Sequence, residues 1–267
     1  MDKRQPVDWD LGTRNLRIER QGPIAWCVID RPKARNALTP AMYFGIKQAV
    51  QRVNRDKDIR ALILTGTGDV FAPGGDLGGR YEEGDRPVPD GLSYECLPFV
   101  TIRESVAPVI SAVNGICQAG GLLIAMMSDV AVVSERATFR VPELLRGLID
   151  ATYAAVLPAH VGMAQARDLL LTARKIDAAE AYRIGLVSRI AAHEELEAEA
   201  LKAAIEILQT APEARAHVKR MLNQQYAPID YQTMFTAMMN GAGEAREGMA
   251  AFMEKRQPNW IPADLPA

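Results

Sequence analysis

Apolar and polar residues alternate where the ordered pattern begins: Leu16 and Ile18 are separated by Arg17 and Glu19, Ala25 to Ile29 is an unbroken apolar run, and Gln21-Gly22-Pro23 divides the two. Alternation followed by a turn signal predicts a hairpin entering a sheet. Residues 1–14 before it are polar and aperiodic and predict no regular element. Beyond the loop Arg31-Pro32-Lys33-Ala34-Arg35-Asn36 the period changes: Met42, Ile46, Val50 and Val53 share one helical face, with Thr39 as N-cap and Pro40 at the first helical position. Ala61 to Thr65 is a compact apolar strand. The order then repeats, with Val106 to Val113 as strand, Gly120 to Met127 as helix and Val130 to Val133 as strand. Such alternation predicts an α/β fold with a largely parallel sheet.

From about Asp150 onward the strand signal nearly vanishes, leaving helical periodicity broken at Pro212 and Pro228 and a final helix through Arg246 to Arg256. The expected organisation is therefore a polar extension over 1–14, a core over 15–200 and a helical C-terminal subdomain over 201–267. Residues 78–91 hold too much Gly, Pro and charge for a regular element and directly follow a Gly-rich turn, which makes them a candidate lid over a site.

Composition narrows the function. A chain of 267 residues, 48% of them hydrophobic, can bury a full core as one domain. Its net charge is −2 with the cations scattered, so it lacks the basic footprint of a nucleic-acid binder. Cys27, Cys96 and Cys117 are odd in number and widely spaced, against both a disulfide framework and a thiolate metal site. The basic N-terminus has no apolar segment behind it and no run approaches the length of a membrane span, so a cytoplasmic protein without membrane partners is expected.

Two Gly-rich turns follow predicted strands: Phe71-Ala72-Pro73-Gly74-Gly75-Asp76-Leu77, and Asn114-Gly115-Ile116-Cys117-Gln118-Ala119-Gly120-Gly121. Glycine lets a ligand approach the main chain closely. The second turn also opens a helix, whose unpaired amides favour negative charge. Facing each other, two such turns would form an oxyanion hole. Either one alone is more often a simple tight connection.

As a pair they carry a resemblance. FAPGGDL resembles the Phe-x-x-Gly-Ala-Asp-Leu motif of the crotonase (enoyl-CoA hydratase/isomerase) superfamily, and AVNGICQAGGLLIAMMSDVAVVSERATFRVPELLRG resembles its longest signature block. The similarity runs from IDRPKARNALTP near the start to EGMAAFMEKR near the end. The resemblance implies a crotonase-like ββα spiral core with a C-terminal helical subdomain used for trimerisation, as a homotrimer or a dimer of trimers. It implies an acyl-CoA thioester substrate with no metal or redox cofactor, coenzyme A entering as part of the substrate. The family's oxyanion-hole donors fall on Gly75 and Gly120, where they would stabilise a thioester enolate shared by several chemistries.

The acids decide the reaction. Hydratases of this family position water between two glutamates; the second matches Glu143 in Val141-Pro142-Glu143-Leu144, but the first falls on Leu123. Leucine neither binds nor deprotonates water, so single-acid double-bond isomerisation with Glu143 as proton shuttle is the leading expectation. Asp150 stands near the catalytic aspartate of dienoyl-CoA isomerases and the chlorobenzoyl-CoA dehalogenase, as a possible second acid or nucleophile; its competing reading is the N-cap of the helix that follows. Arg146 replaces an apolar residue and, if buried, would lower the pKa of Glu143. Lys33 and Arg35 match the family's CoA-phosphate position, and Phe252 and Lys255 its C-terminal nucleotide contacts. Ala37, Asp76, Leu77 and Leu123 fall inside the matched motifs as substrate-binding positions. His160, His193 and His217 lie far from the motifs and are assigned no chemistry. Hydration, thioester or β-diketone hydrolase or lyase chemistry, and a catalytically silent acyl-CoA binder stay open as alternatives.

Overall fold

A computed structural model describes residues 3–78, 81–89, 93–226, 230 and 243–261. Two compact units emerge, one from residues 1–140 and 176–228, the other from 141–175 and 229–267. They interleave in sequence.

The described residues of the first unit form eleven strands: β1 Gln5–Val7, β2 Leu16–Gln21, β3 Ile24–Ile29, β4 Ala61–Gly66, β5 Val70–Ala72, β6 Val109–Val113, β7 Ile116–Gln118, β8 Val130–Ser134, β9 Thr138–Arg140, β10 Ile176–Asp177 and β11 Arg189–Ala191. One sheet runs β1-β2-β3-β4-β6-β8-β11 and the other β10-β9-β7-β5. The hairpin β2-β3 is antiparallel with Ile18 opposite Cys27, and from β3 onward the large sheet is parallel. Strand pairs β4-β5, β6-β7 and β8-β9 each put their first member in the large sheet and their second in the small one, which is the expected ββα spiral.

Three expectations need correction. Gln5–Val7, inside the stretch read as aperiodic, pairs antiparallel with β2 as an edge strand. Strands do persist beyond Asp150, with β11 closing the large sheet beside β8. The strand expected from Val106 begins only at Val109, and Val106 itself is exposed.

Buried polar side chains make the sharp corners between the sheets possible. Asn114 accepts from the Gly66 amide at 3.1 Å and donates to the Gly68 carbonyl at 2.7 Å, while Asn36 donates to the carbonyls of Thr67 and Val70 at 3.0 and 2.6 Å. The Val70 carbonyl is buried, and left without a partner it would cost about 1–3 kcal/mol. At Gly115 a side chain would stand 1.9 Å from the Asp69 carbonyl oxygen, so only glycine lets successive corners stack. The helix Leu196–Leu208 covers the large sheet with Ala200, Ala203, Ala204 and Leu201 against Trp26, Ile63, Ile110 and Val132. Three alanines on one face bring its backbone close to the sheet, and the tight packing fixes the platform on which the turns stand.

In the second unit a short 3-10 turn, Glu143–Arg146, leads to the helix Ala151–Thr172, which bends at Gly162 where φ is +76°. The final helix, expected through Arg246 to Arg256, is Gly243–Met253. Its Gly248 lies so close to the Glu143–Arg146 turn that a Cβ would come within 2.3 Å of the Arg146 carbonyl oxygen, and at Gly147 one would meet the Glu244 backbone at 2.5 Å. Segments 100 residues apart in sequence thereby clamp the turn that carries Glu143.

Candidate active site

The glycine turns stand where β5 and β7 end in the small sheet of the first unit. Leu38 bridges to Gly75: its amide donates to the Gly74 carbonyl and its carbonyl accepts from the Asp76 amide, both at 2.9 Å. This pairing turns the Gly75 amide away from Leu38, and among the described residues neither Gly75 nor Gly120 donates its amide to anything. Gly120 opens the helix Gly120–Met127, whose first internal bond is made by Leu123 to the Ala119 carbonyl at 3.1 Å. The two turns are in contact, since a side chain at Gly74 (φ +111°) would stand 2.5 Å from the Ala119 Cβ and 3.6 Å from the Gly120 nitrogen.

Ala119 aims the second donor. It holds φ +49° and ψ −132°, a region that costs an L-residue on the order of 1–3 kcal/mol and recurs where strain serves a site. Gly121 can follow only as glycine, because a Cβ there would lie 2.2 Å from the Ala72 carbonyl oxygen. The arrangement is thus two unpaired amides from adjoining turns, one at a helix N-terminus, suited to holding a developing oxyanion.

Arg31 braces the first turn, a role the sequence reading missed. Its guanidinium is buried and spans the Ala37 carbonyl at 2.8 Å, Asp76 at 2.8 Å and Glu82 at 2.6 Å. Asp76, expected to touch substrate, therefore pairs with Arg31, and Leu77 beside it is exposed. Glu82 belongs to the expected lid, part of which (residues 79, 80, 90 and 91) lies outside the described residues. The described portion is anchored: Asp85 accepts from Thr13 and Thr39 at 2.6 and 3.1 Å, and the Arg86 amide donates to the Gly12 carbonyl at 2.8 Å.

The carboxylates singled out by the sequence, Glu143 and Asp150, lie in the second unit. Glu143 is buried, and its Oε2 has no hydrogen-bond partner among the described residues. Burial pushes its pKa up, the charge of Asp150 adds to the rise, and together they carry it to about 8 despite the opposing pull of Arg146. The expectation that Arg146 would lower the pKa is thus right for its own contribution and wrong for the net result. Arg146 lies with its guanidinium 4.7 Å from the centre of the Phe252 ring, an interaction that holds both side chains. Asp150 caps the helix Ala151–Thr172, accepting from the Tyr153 amide at 3.2 Å, and burial raises its own pKa. The capping reading therefore accounts for one of its oxygens.

Leu123 is buried in the helix behind Gly120, with 3% of its surface exposed. Lys33 and Arg35 are exposed, with Arg35 3.6 Å from the equally open Asp69, and Ala37 is half-buried behind them. Lys255 follows the last helix with φ +55°. His193 binds Ser134 at 2.9 Å and His160 the Val156 carbonyl at 3.0 Å, both local structural contacts. Among the described residues no cluster of three or more His, Cys, Asp or Glu side chains is arranged to hold a metal, and no helix is long and apolar enough to cross a membrane.

Comparison with known proteins decides the family, since residues 19–262 match that of enoyl-CoA hydratase/isomerase. The chain belongs to this family. Crotonyl-CoA hydratase of Syntrophomonas wolfei is 35% identical over 258 residues, covering 94% of this chain and 99% of that protein. Among solved structures, an enoyl-CoA hydratase/isomerase from Pseudoalteromonas atlantica T6c superimposes with a TM-score of 0.81 at 32% identity, covering 93% of this chain and 100% of its own. A monofunctional enoyl CoA isomerase from M. smegmatis matches with a TM-score of 0.68 at 26% identity, over 86% and 100% of the two chains. The protein is accordingly an acyl-CoA enzyme of the enoyl-CoA hydratase/isomerase family. The family's relatives span both hydration and isomerisation, so the particular acids must distinguish them.

Proposed function

We propose that this enzyme isomerises enoyl-CoA thioesters, with Glu143 as the only proton carrier and the amides of Gly75 and Gly120 as donors to the enolate oxygen. Ionised Glu143 takes a proton from the α-carbon of a 3-enoyl-CoA, the electron pair delocalises onto the thioester oxygen, and the protonated carboxyl returns the proton at the γ-carbon to leave the 2-enoyl-CoA. Atoms balance with no water consumed. The observation that carries the reading is the buried Oε2 of Glu143, without a partner among the described residues and on a group that titrates near neutrality, which suits a carboxylate that must both take and give a proton. Leu123 supports it, being buried and, by the sequence resemblance, matched to the position of the hydratases' other acid.

The coenzyme and assembly belong to the same proposal. Exposed Lys33 and Arg35 offer charge for CoA phosphates, while the resemblance makes Phe252 and Lys255 contacts to the nucleotide bound by a neighbouring subunit. A homotrimer or dimer of trimers is supported by the helix Pro212–Asn223, which buries none of its residues and exposes Val218, Met221 and Leu222 along one stripe.

A second reading adds water, with Asp150 as the other acid; the influence of its charge on Glu143 favours it. The variant Asp150→Asn separates the two. For isomerisation, kcat/KM should rise with pH as Glu143 ionises and level off above about pH 8. Removing the Asp150 charge leaves less to oppose ionisation, so the rising limb moves to lower pH in Asp150→Asn while 3-enoyl-CoA turnover persists. Loss of all turnover in Asp150→Asn, together with hydration of 2-enoyl-CoA by the wild type, favours the two-acid reading.

A further inference from the structure

One buried side chain beside the glycine turns has no part in the proposal so far. Tyr43 lies on the helix Pro40–Arg55, with only 8% of its surface exposed. A Cβ built on Gly120 would stand 2.0 Å from its hydroxyl oxygen, 3.0 Å from Cζ and 3.2 Å from Cε1; one built on Gly75 would stand 3.7 Å from both the hydroxyl oxygen and Cε2. With a carbon–carbon bond of about 1.5 Å, the phenol oxygen is within roughly 3.5 Å of the Gly120 Cα and roughly 5 Å of the Gly75 Cα. The ring thus turns one edge to each glycine, with its oxygen near both.

Its position is fixed from three sides. Thr39 caps the helix, its hydroxyl accepting from the Met42 amide at 3.2 Å. One residue earlier, Leu38 is tied to the Gly75 turn by its two 2.9 Å backbone bonds, which locks the helix start to the first donor. Phe99 meets the Tyr43 ring edge to face, centroids 6.0 Å apart at 75°.

We propose that Tyr43 is a third hydrogen-bonding group of the oxyanion site, its phenol O–H donating to the thioester oxygen alongside the amides of Gly75 and Gly120. A phenol both donates and accepts, so it can turn its proton to an incoming carbonyl whatever it binds at rest. Its apolar ring also walls the amides from water, which strengthens each of the three donations. The inference rests on the oxyanion reading of the two glycines.

Tyr43→Phe removes one oxygen and keeps the ring, so the fold should be preserved, as circular dichroism and thermal unfolding will verify. With 3-enoyl-CoA, kcat is expected to fall about 10- to 100-fold, up to the lower end of the loss seen for oxyanion-hole donors. KM should stay within about threefold, because the bond strengthens as charge develops. The pH limb assigned to Glu143 should not move. Calorimetry adds a readout independent of turnover: the variant should bind an acyl-CoA thioester more weakly than wild type, but an S-alkyl-CoA thioether, which has no carbonyl oxygen, equally well. Turnover within twofold of wild type, or equal weakening for thioester and thioether, overturns the role of Tyr43. Gly120→Ala, measured in parallel, identifies which reading has failed. If that variant is inactive while Tyr43→Phe is unaffected, Tyr43 falls alone; if both remain active, the oxyanion reading itself is wrong.

Discussion

Glu143→Gln is expected to lower 3-enoyl-CoA isomerisation by about 10²- to 10⁴-fold, the range over which a positioned acid–base group contributes. Glutamine is nearly isosteric and keeps the turn clamped by Gly147 and Gly248, so the loss would report proton transfer and not collapse of the unit. KM should change little, since the proposed role of the carboxylate is proton transfer at carbon, apart from the residues proposed to bind CoA. The measurement is steady-state turnover of 3-enoyl-CoA, followed through the conjugated product, with thermal unfolding as the control. A variant retaining a tenth or more of wild-type turnover removes Glu143 from the chemistry.

Gly120→Ala should be comparably severe, for a steric reason. The added methyl would be 2.0 Å from the Tyr43 hydroxyl oxygen and 3.0 Å from Cζ, so either the ring or the start of the helix Gly120–Met127 must move. Movement of the ring displaces the Tyr43 phenol, and movement of the helix start displaces the Gly120 amide. A loss of about 10²- to 10³-fold in kcat is expected, as for removal of one donor from an oxyanion hole. Folding is also at risk, and near-wild-type unfolding combined with lost turnover is the result that supports the assignment. Full activity in Gly120→Ala contradicts it.

Much of the scaffold was legible because its signals are local. Thr39, Pro40 and a four-residue apolar face define the helix Pro40–Arg55, and the strand Ala61–Gly66 is a continuous apolar run. The glycine turns and the Asp150 cap were likewise readable from residue type and position. The small sheet was not: β5, β7 and β9 are three residues each, too short for alternation to register, and β7 lies inside, and β5 overlaps, a segment that read as a turn. β1 and β11 fail for the same reason, with Arg189–Ala191 additionally surrounded by helical sequence.

Site electrostatics depended on tertiary burial. Sequence showed Arg146 three positions from Glu143 and suggested a lowered pKa, but the desolvation that dominates is a property of packing. Arg31 and Tyr43 illustrate the same limit. Arg31 sits in a loop and reveals its role only through partners up to 51 residues away. Tyr43 sits beside the apolar face of its helix, where its polar tip was the only local hint that it does more than fill the core.

The central claim, that one carboxylate moves a proton without adding water, is tested most directly by the mass of the product formed from 3-enoyl-CoA in deuterated water. A single-acid isomerase gives a 2-enoyl-CoA carrying no more than one deuterium per turnover and no added oxygen, formed about 10²- to 10⁴-fold more slowly in Glu143→Gln. A product heavier by one water, formed at a rate matching substrate loss, would contradict it.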